Sequence, residues 1–141
     1  MMNQVALEEL ARSIARTITP GTKLFLSGDL GAGKSVFARA VLRELGVKGS
    51  IPSPSFIVDA VYRSSGMEIH HIDLYRLEGN TEEMEFYGIY EALESDAVVI
   101  VEWAERLNTA VLPKGIFVSI NFTGDSMMRE VIVDDRSLAG N

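Results

Sequence analysis

The fold is decided by the stretch Gly28-Asp29-Leu30-Gly31-Ala32-Gly33-Lys34-Ser35. It has the spacing G-x-x-x-x-G-K-[ST] of a phosphate-binding loop. An apolar run at 24–26 precedes it and a helix-like run at 36–42 follows it, which is the strand, loop and helix context that the motif requires. The sequence therefore predicts a loop that binds the phosphates of a nucleotide, and the alternative is a glycine-rich surface turn.

Each residue type in this loop has a physical role in phosphate binding. Glycine permits positive φ and a close approach of the backbone to a ligand. Several backbone N–H groups then point at one position, at the positive end of the dipole of the following helix. Lys34 adds a cation that reaches the β- and γ-phosphates, and the hydroxyl of Ser35 is placed to ligate Mg²⁺.

Composition and charge restrict the class of protein. The chain has 141 residues, which suits a single domain over 1–141, and 47% of them are hydrophobic, enough to fill a core. The net charge of −7 argues against unaided nucleic-acid binding. There is no cysteine, which excludes disulfides and cysteine-ligated metals. Because we find neither an apolar run of membrane-spanning length nor a secretory signal, we expect a cytoplasmic protein without membrane association.

Hydrophobic periodicity and turn residues predict the order of the remaining elements. We expect helices at 5–18, from the loop to about 45, and at 81–93, the last being one helix or two broken near Gly88. We expect strands at 23–27, 56–62, 67–72, 97–101, 116–122 and 130–133, and a short tail at 134–141. The strands at 56–72 and at 116–133 pair as antiparallel hairpins. The predicted fold is α/β: a P-loop NTPase-like three-layer sandwich with a central, mostly parallel sheet and antiparallel edge hairpins.

Two carboxylates stand where strands are predicted to end. Asp73 follows the strand at 67–72, and the ligand crevice of α/β sheets lies at the carboxyl ends of strands; the alternative for Asp73 is a helix or turn cap. Glu102 leaves a continuous apolar strand, which is the position of a Walker-B carboxylate that holds Mg²⁺. The alternative for Glu102 is a surface glutamate. Trp103 either belongs to the core or covers the site against water.

Two further features of the chain have a less direct link to chemistry. His70 and His71 are adjacent on a predicted strand, so they point to opposite faces and cannot easily chelate one ion. The segment 48–56, with two prolines and three serines, is predicted to be an extended loop. That loop either responds to the γ-phosphate of a bound nucleotide or is an inert connector.

Four segments together resemble the TsaE family of bacterial P-loop ATPases. They are the loop at 28–35, Ser53-Pro54-Ser55-Phe56, His71-Ile72-Asp73-Leu74-Tyr75-Arg76 and Val101-Glu102-Trp103, in that order. The resemblance implies a role in making threonylcarbamoyladenosine in transfer RNA, with ATP and Mg²⁺ as ligands and homologues of TsaB and TsaD as partners. It implies that ATP hydrolysis supports repeated cycles of the partner complex, and no direct binding of tRNA by this chain alone is expected.

The resemblance also implies roles for individual residues. Lys34, Asp73 and Glu102 are implied in catalysis, and Ser35, Glu102 and Asp73 on the metal side. The residues implied at the nucleotide are Asp29, Gly31, Ala32, Gly33, Lys34, Ser35, Val36, Ser55, Trp103, Glu105 and Arg129. Ser55 stands where the family usually has threonine, so the hydroxyl is retained.

The sequence leads to a mechanistic hypothesis with two alternatives. Phosphoryl transfer in this class rests on positioning and charge stabilisation, so Asp73 or Glu102 would orient the water. No obvious arginine finger is visible in the sequence, which is consistent with a slow ATPase completed by a partner. A non-hydrolysing, nucleotide-gated binding module is the first alternative, and the presence of both carboxylates argues against it. A small-molecule kinase is the second, and the lack of an arginine-rich lid argues against it.

Overall fold

A six-stranded sheet forms the middle layer of the protein. The computed structural model describes residues 1–52, 54, 57–107 and 114–136. The strands are β1 (Lys23–Gly28), β2 (Asp59–Ser64), β3 (Met67–Asp73), β4 (Val98–Glu102), β5 (Ile116–Phe122) and β6 (Arg129–Asp135). The helices are α1 (Gln4–Ala15), α2 (Lys34–Glu44), α3 (Thr81–Phe86) and α4 (Ile89–Glu94), with a 3-10 turn at Ala104–Arg106. No helix among these described residues is long and apolar enough to cross a membrane.

The strand order is β2-β3-β4-β1-β5-β6. The four central strands pair in parallel, whereas β2 with β3 and β5 with β6 pair antiparallel at the two edges. This topology confirms the predicted fold class of a mostly parallel sheet with antiparallel edge hairpins. The strand that leads into the glycine-rich loop (Gly28–Ser35) therefore lies near the centre of the sheet, where both of its faces are covered.

Side chains of the central strands alternate between two cores. Val98 and Ile100 of β4 face α1 and α2, whereas Val99 and Val101 face α3 and α4. All four are fully buried, which explains why this strand is a continuous apolar run. The helices on both faces complete the three layers.

Four element boundaries differ from the predictions by two residues or more, and the others by one residue at most. The first helix ends at Ala15 rather than at 18, and the hydroxyl of Thr17 bonds the carbonyl of Ile14 at 2.7 Å. The second strand begins at Asp59 rather than at 56, because Val58 has φ 69°, which no β-strand accommodates. It ends at Ser64, two residues beyond the predicted end. The last strand continues to Asp135, two residues beyond the predicted end. Of the predicted tail, 137–141 lie outside the described residues.

The segment 81–93 forms two helices rather than one. Asn80 is the N-cap of α3, and its side chain accepts a hydrogen bond from the N–H of Glu83 at 2.9 Å. Gly88 has φ 70° between the helices, and this left-handed conformation interrupts the helical path. Met84 and Ile89, one on each helix, are both fully buried against the sheet.

Candidate functional site

The last residues of three parallel strands lie at the same edge of the sheet. β1 ends at Gly28, β3 at Asp73 and β4 at Glu102. Asp73 and Glu102 are register partners, and Leu26 of β1 is the partner of Glu102 on its other side. The structure therefore brings the two predicted carboxylates next to the glycine-rich loop, on the sheet face covered by α2.

The glycine-rich loop is held at its start by hydrogen bonds to neighbouring segments. Gly28 donates its N–H to Glu105 Oε2 at 3.0 Å. Asp29 Oδ2 accepts the N–H of Phe122 at 2.9 Å, and the N–H of Asp29 donates to Asn121 Oδ1 at 3.2 Å. At the start of α2, the N-cap Gly33 has no side chain with which to cap the helix. The first N–H groups of α2 are therefore suited to an anion.

Lys34 is the buried cation of the loop. Its side chain is 4% exposed, and the ammonium donates to the carbonyl oxygens of Gly28 and, at 2.9 Å, of Asp29. Burial lowers the pKa of Lys34, while four surrounding carboxylates oppose this shift in its pKa; they are those of Glu105, Glu102, Asp29 and Asp73. The carboxylates thus favour the charged form of a lysine that the low-dielectric environment would otherwise neutralise.

Ser35, Glu102 and His71 form a chain of hydrogen bonds. The hydroxyl of Ser35 donates to Glu102 Oε1 at 2.7 Å, and His71 Nε2 lies 2.6 Å from Glu102 Oε2. Mg²⁺ binds six oxygens in an octahedron at about 2.0–2.1 Å, so neighbouring ligand oxygens lie about 3 Å apart. The oxygens of Ser35 and Glu102 are close to this separation. These two side chains could therefore be neighbouring ligands of one Mg²⁺.

The remaining ligands of such an ion would not come from a protein cage. Across the described ranges, no group of three or more His, Asp or Glu side chains surrounds one metal position. Mg²⁺ is usually bound through one or two carboxylates, with waters and substrate phosphates completing the shell. The donor set of one hydroxyl and one carboxylate beside a phosphate-binding loop fits this pattern.

Trp103 covers the outer side of the loop. Its ring centroid lies 4.1 Å from Lys34 Nζ, and Tyr75 meets the ring edge-on at 5.1 Å. Trp103 has φ 60°, a strained conformation for a large side chain and one that clusters at ligand sites. A cavity of about 170 Å³ lies here, lined by Leu30, Gly31, Gly33, Lys34, Ser35, Val36 and Trp103. Both alternatives for this tryptophan apply, because it lines this cavity and also packs, half-buried, against the core on the side of α3 and α4.

A second cavity, of about 210 Å³, borders the other side of the loop. It is lined by Gln4, Leu7, Gly31, Ala32, Gly33, Val36, Ser126, Met127 and Arg129. Arg129 Nε donates to the carbonyl of Ala32 at 3.1 Å, and its guanidinium lies 4.8 Å from the ring of Phe122. Arg129 is thus in direct contact with the glycine-rich loop, although it is 97 residues away from Ala32 in sequence.

All predicted site residues except Ser55 lie in or around the glycine-rich loop. Asp29, Gly31, Ala32, Gly33, Lys34, Ser35, Val36, Asp73, Glu102, Trp103, Glu105 and Arg129 all belong to the loop or to the strand ends, turns and cavities around it. Ser55, and with it most of the Ser53–Phe56 segment, lies outside the described residues. The individual roles of these residues stay predictions.

Sequence reasoning missed the contact between His71 and Glu102. The two histidines do point to opposite faces as predicted, His70 towards Asp59 at 2.7 Å and His71 towards Glu102. The available signal was the spacing of two between His71 and Asp73, which places both side chains on one face of the strand.

The fold and the site define an α/β protein with a glycine-rich loop between a parallel strand and a helix. The family profile described as "Threonylcarbamoyl adenosine biosynthesis protein TsaE" matches residues 1–131. The chain belongs to the TsaE family of tRNA threonylcarbamoyladenosine biosynthesis proteins.

Relatives and a solved structure agree with this assignment. A TsaE protein of Haemophilus influenzae is 37% identical over 110 residues, which cover 77% of this chain and 68% of the relative. One of Streptomyces coelicolor is 41% identical, covering 70% of this chain and 68% of the relative. The crystal structure of Bacillus subtilis YdiB superposes with a TM-score of 0.70 at 29% identity, covering 93% of this chain and 79% of that one.

Proposed function

We propose that this protein is a Mg²⁺-dependent ATPase of the tRNA threonylcarbamoyladenosine modification machinery, acting with a TsaB–TsaD complex to support its catalytic cycle. The observation that carries the proposal is the 2.7 Å contact between Ser35 and Glu102 beside the glycine-rich loop. Binding the phosphates of a nucleotide would require only the glycine-rich loop. A hydroxyl and a buried carboxylate at the spacing of neighbouring Mg²⁺ ligands are what metal-assisted phosphoryl transfer requires in addition.

The roles of the loop residues follow from their positions. The N–H groups of the loop and of the first turn of α2 would hold the phosphates, with Lys34 as the cation. Ser35 and Glu102 would hold Mg²⁺, which supplies neutralisation of charge on the phosphate oxygens. Trp103 and Tyr75 would limit the access of water from the side of the cavity.

Asp73 is the candidate for orienting the attacking water. Its side chain is 3% exposed, and Oδ1 accepts the N–H of Tyr75 at 2.9 Å, which fixes the carboxylate at the end of β3. Glu102 contacts Ser35, the other proposed ligand of Mg²⁺, so we assign Glu102 to the metal and Asp73, its register partner, to the water. The assignment of the water to Asp73 is therefore part of the proposal.

A steady-state hydrolysis assay tests the proposed function. ATP turnover is measured with Mg²⁺ for the protein alone and after adding its TsaB and TsaD homologues. We expect a weak rate that rises with the complex. We also expect a loss of about 100-fold or more in Lys34→Ala and Glu102→Gln, because each removes a group that stabilises transition-state charge. Glu94→Gln, an exposed carboxylate at the end of α4, is the matched control.

Two other results would replace the proposal. A background rate in both conditions, with nucleotide-dependent binding of the partners intact, would make the protein a nucleotide-gated binding module. Transfer of the phosphate to an added nucleoside or sugar would make it a small-molecule kinase. Full activity of Glu102→Gln in the assembly would remove Glu102 from the reaction.

A further inference from the structure

We propose that His71 is a positioning residue that fixes the Glu102 carboxylate for one-oxygen ligation of Mg²⁺, an inference that rests on the proposed function. His71 Nε2 lies 2.6 Å from Glu102 Oε2, and the two side chains are 1% and 2% exposed. The other oxygen, Oε1, accepts the hydroxyl of Ser35. One oxygen of Glu102 is therefore held inside the protein while the other is directed towards the glycine-rich loop.

The hydrogen bond between His71 and Glu102 has a defined direction. Glu102 offers only acceptor oxygens when ionised, so His71 must donate from Nε2. Nδ1 of His71 is buried and has no hydrogen-bond partner within the described ranges. A proton on Nδ1 would leave a buried donor unsatisfied, which is costly. The contact between His71 and Glu102 is therefore best satisfied when Nε2 carries a proton and donates it to Oε2.

The strand geometry makes this contact rigid. His71 and Ile100 are register partners in β3 and β4, as are Asp73 and Glu102. His71 and Glu102 therefore project from the same face of two adjacent, centrally placed strands, two positions apart in the register. A glutamate side chain has several rotatable bonds, and ordering it costs about 1.5–2 kcal/mol of rotamer entropy. The imidazole has already ordered the carboxylate before any metal binds.

The opposite explanation is that His71 only fills space under the site. A space-filling role would make an apolar side chain of similar length equivalent to a polar one. A positioning role would not, because only a donor can hold Oε2. The pair His71→Met and His71→Gln separates the two explanations, since both side chains are unbranched and of similar size while only glutamine carries an N–H donor.

The test measures metal coupling rather than turnover. The dissociation constant of a non-hydrolysable ATP analogue is determined by calorimetry in EDTA and in excess Mg²⁺. The ratio of the two constants is the Mg²⁺-dependent gain in affinity. Removing a hydrogen-bond partner of a metal ligand typically costs about 10- to 100-fold in metal affinity. We expect His71→Met to lower the ratio by about 10-fold or more, while His71→Gln retains most of it and the affinity in EDTA is unchanged in both.

His70→Gln is the matched control, because the adjacent histidine faces the other side of the sheet and contacts Asp59. It should leave the ratio unchanged. An unchanged ratio in His71→Met overturns the inference and leaves the proposed function standing. Equal losses of affinity with and without Mg²⁺ also overturn it, because they indicate a structural role. If the wild-type protein shows no gain from Mg²⁺, the proposed function fails and the inference fails with it.

Discussion

Replacing Gly28 with alanine should destabilise the protein through one close contact. Gly28 is the last residue of β1 and the register partner of Ile120 in β5. A Cβ at this position would lie 1.9 Å from the carbonyl oxygen of Ile120. The backbone of β5 cannot turn away without leaving the ladder, so the added methyl group must separate the two strands at the start of the glycine-rich loop.

The magnitude has two parts. Gly28 has φ 127°, and an alanine there is strained by about 1–3 kcal/mol. Overpacking a filled position costs a further 1–3 kcal/mol, roughly, and more where backbone rather than a flexible side chain must move. Gly21→Ala is the matched control, because Gly21 has φ 92° but no atom within 4 Å of the added Cβ. We therefore expect Gly28→Ala to lose at least about 2 kcal/mol more than Gly21→Ala.

Urea unfolding, followed by far-UV circular dichroism and by the fluorescence of Trp103, measures both losses. The two probes should give coincident transitions with equal m values if unfolding is two-state. A difference of about 2 kcal/mol corresponds to about 4–8 °C in Tm for a chain of this length. If Gly28→Ala is no less stable than Gly21→Ala, the close approach of β1 and β5 at Ile120 is wrong.

Three further predictions concern the pH dependence, the metal site and the core. The hydrogen bond to Asp59 raises the pKa of His70, so the pair stabilises the fold fully below pH 6.5, and this stabilisation is lost as pH rises through the raised pKa. The difference in unfolding free energy between wild type and His70→Gln should therefore be larger at pH 6 than at pH 9. An equal difference at the two pH values would refute the pairing. Ser35→Ala should lower the Mg²⁺-dependent gain in nucleotide affinity by about 10-fold, with the affinity in EDTA unchanged; calorimetry that shows equal losses in both conditions would contradict a metal-side hydroxyl. Met84→Ala should cost about 2–5 kcal/mol in chemical denaturation because Met84 is fully buried, whereas Met127→Ala, at a side chain 74% exposed, should change stability by about 0.5 kcal/mol or less.

Some features of the fold and the site depend on local pattern, and these could be predicted. The glycine-rich loop is defined by eight consecutive residues, and the apolar run that becomes β4 is continuous because that strand is buried on both faces. Glu102 could be placed at a strand end because it follows such a run directly, and Asp73 because it follows the predicted strand at 67–72. Parallel strands share one carboxyl edge, so both carboxylates had to lie at the same side of the sheet.

Boundaries were less accurate because they depend on contacts that periodicity does not contain. Val58 continues the β-branched pattern of a strand, but it has φ 69° because its N–H donates to the carbonyl of Pro54 at 2.6 Å and its carbonyl accepts the N–H of Asp73 at 2.8 Å. The preference of valine for extended backbone is weak, and tertiary contacts can override it. The sequence also leaves one or two helices possible at 81–93, since a single glycine is tolerated inside a helix at a cost of about 1 kcal/mol.

The sequence by itself determined the layered α/β fold, the loop and the two strand-end carboxylates, because each is encoded by neighbouring residues. Only the tertiary structure decided which side chains meet there. Glu102 contacts Ser35 across 67 residues and His71 across 31. Such contacts depend on strand order, on register and on which face each side chain occupies. A shift of one residue in the register of β3 would turn His71 away from Glu102, and the hydrophobic pattern of one strand cannot specify its neighbour.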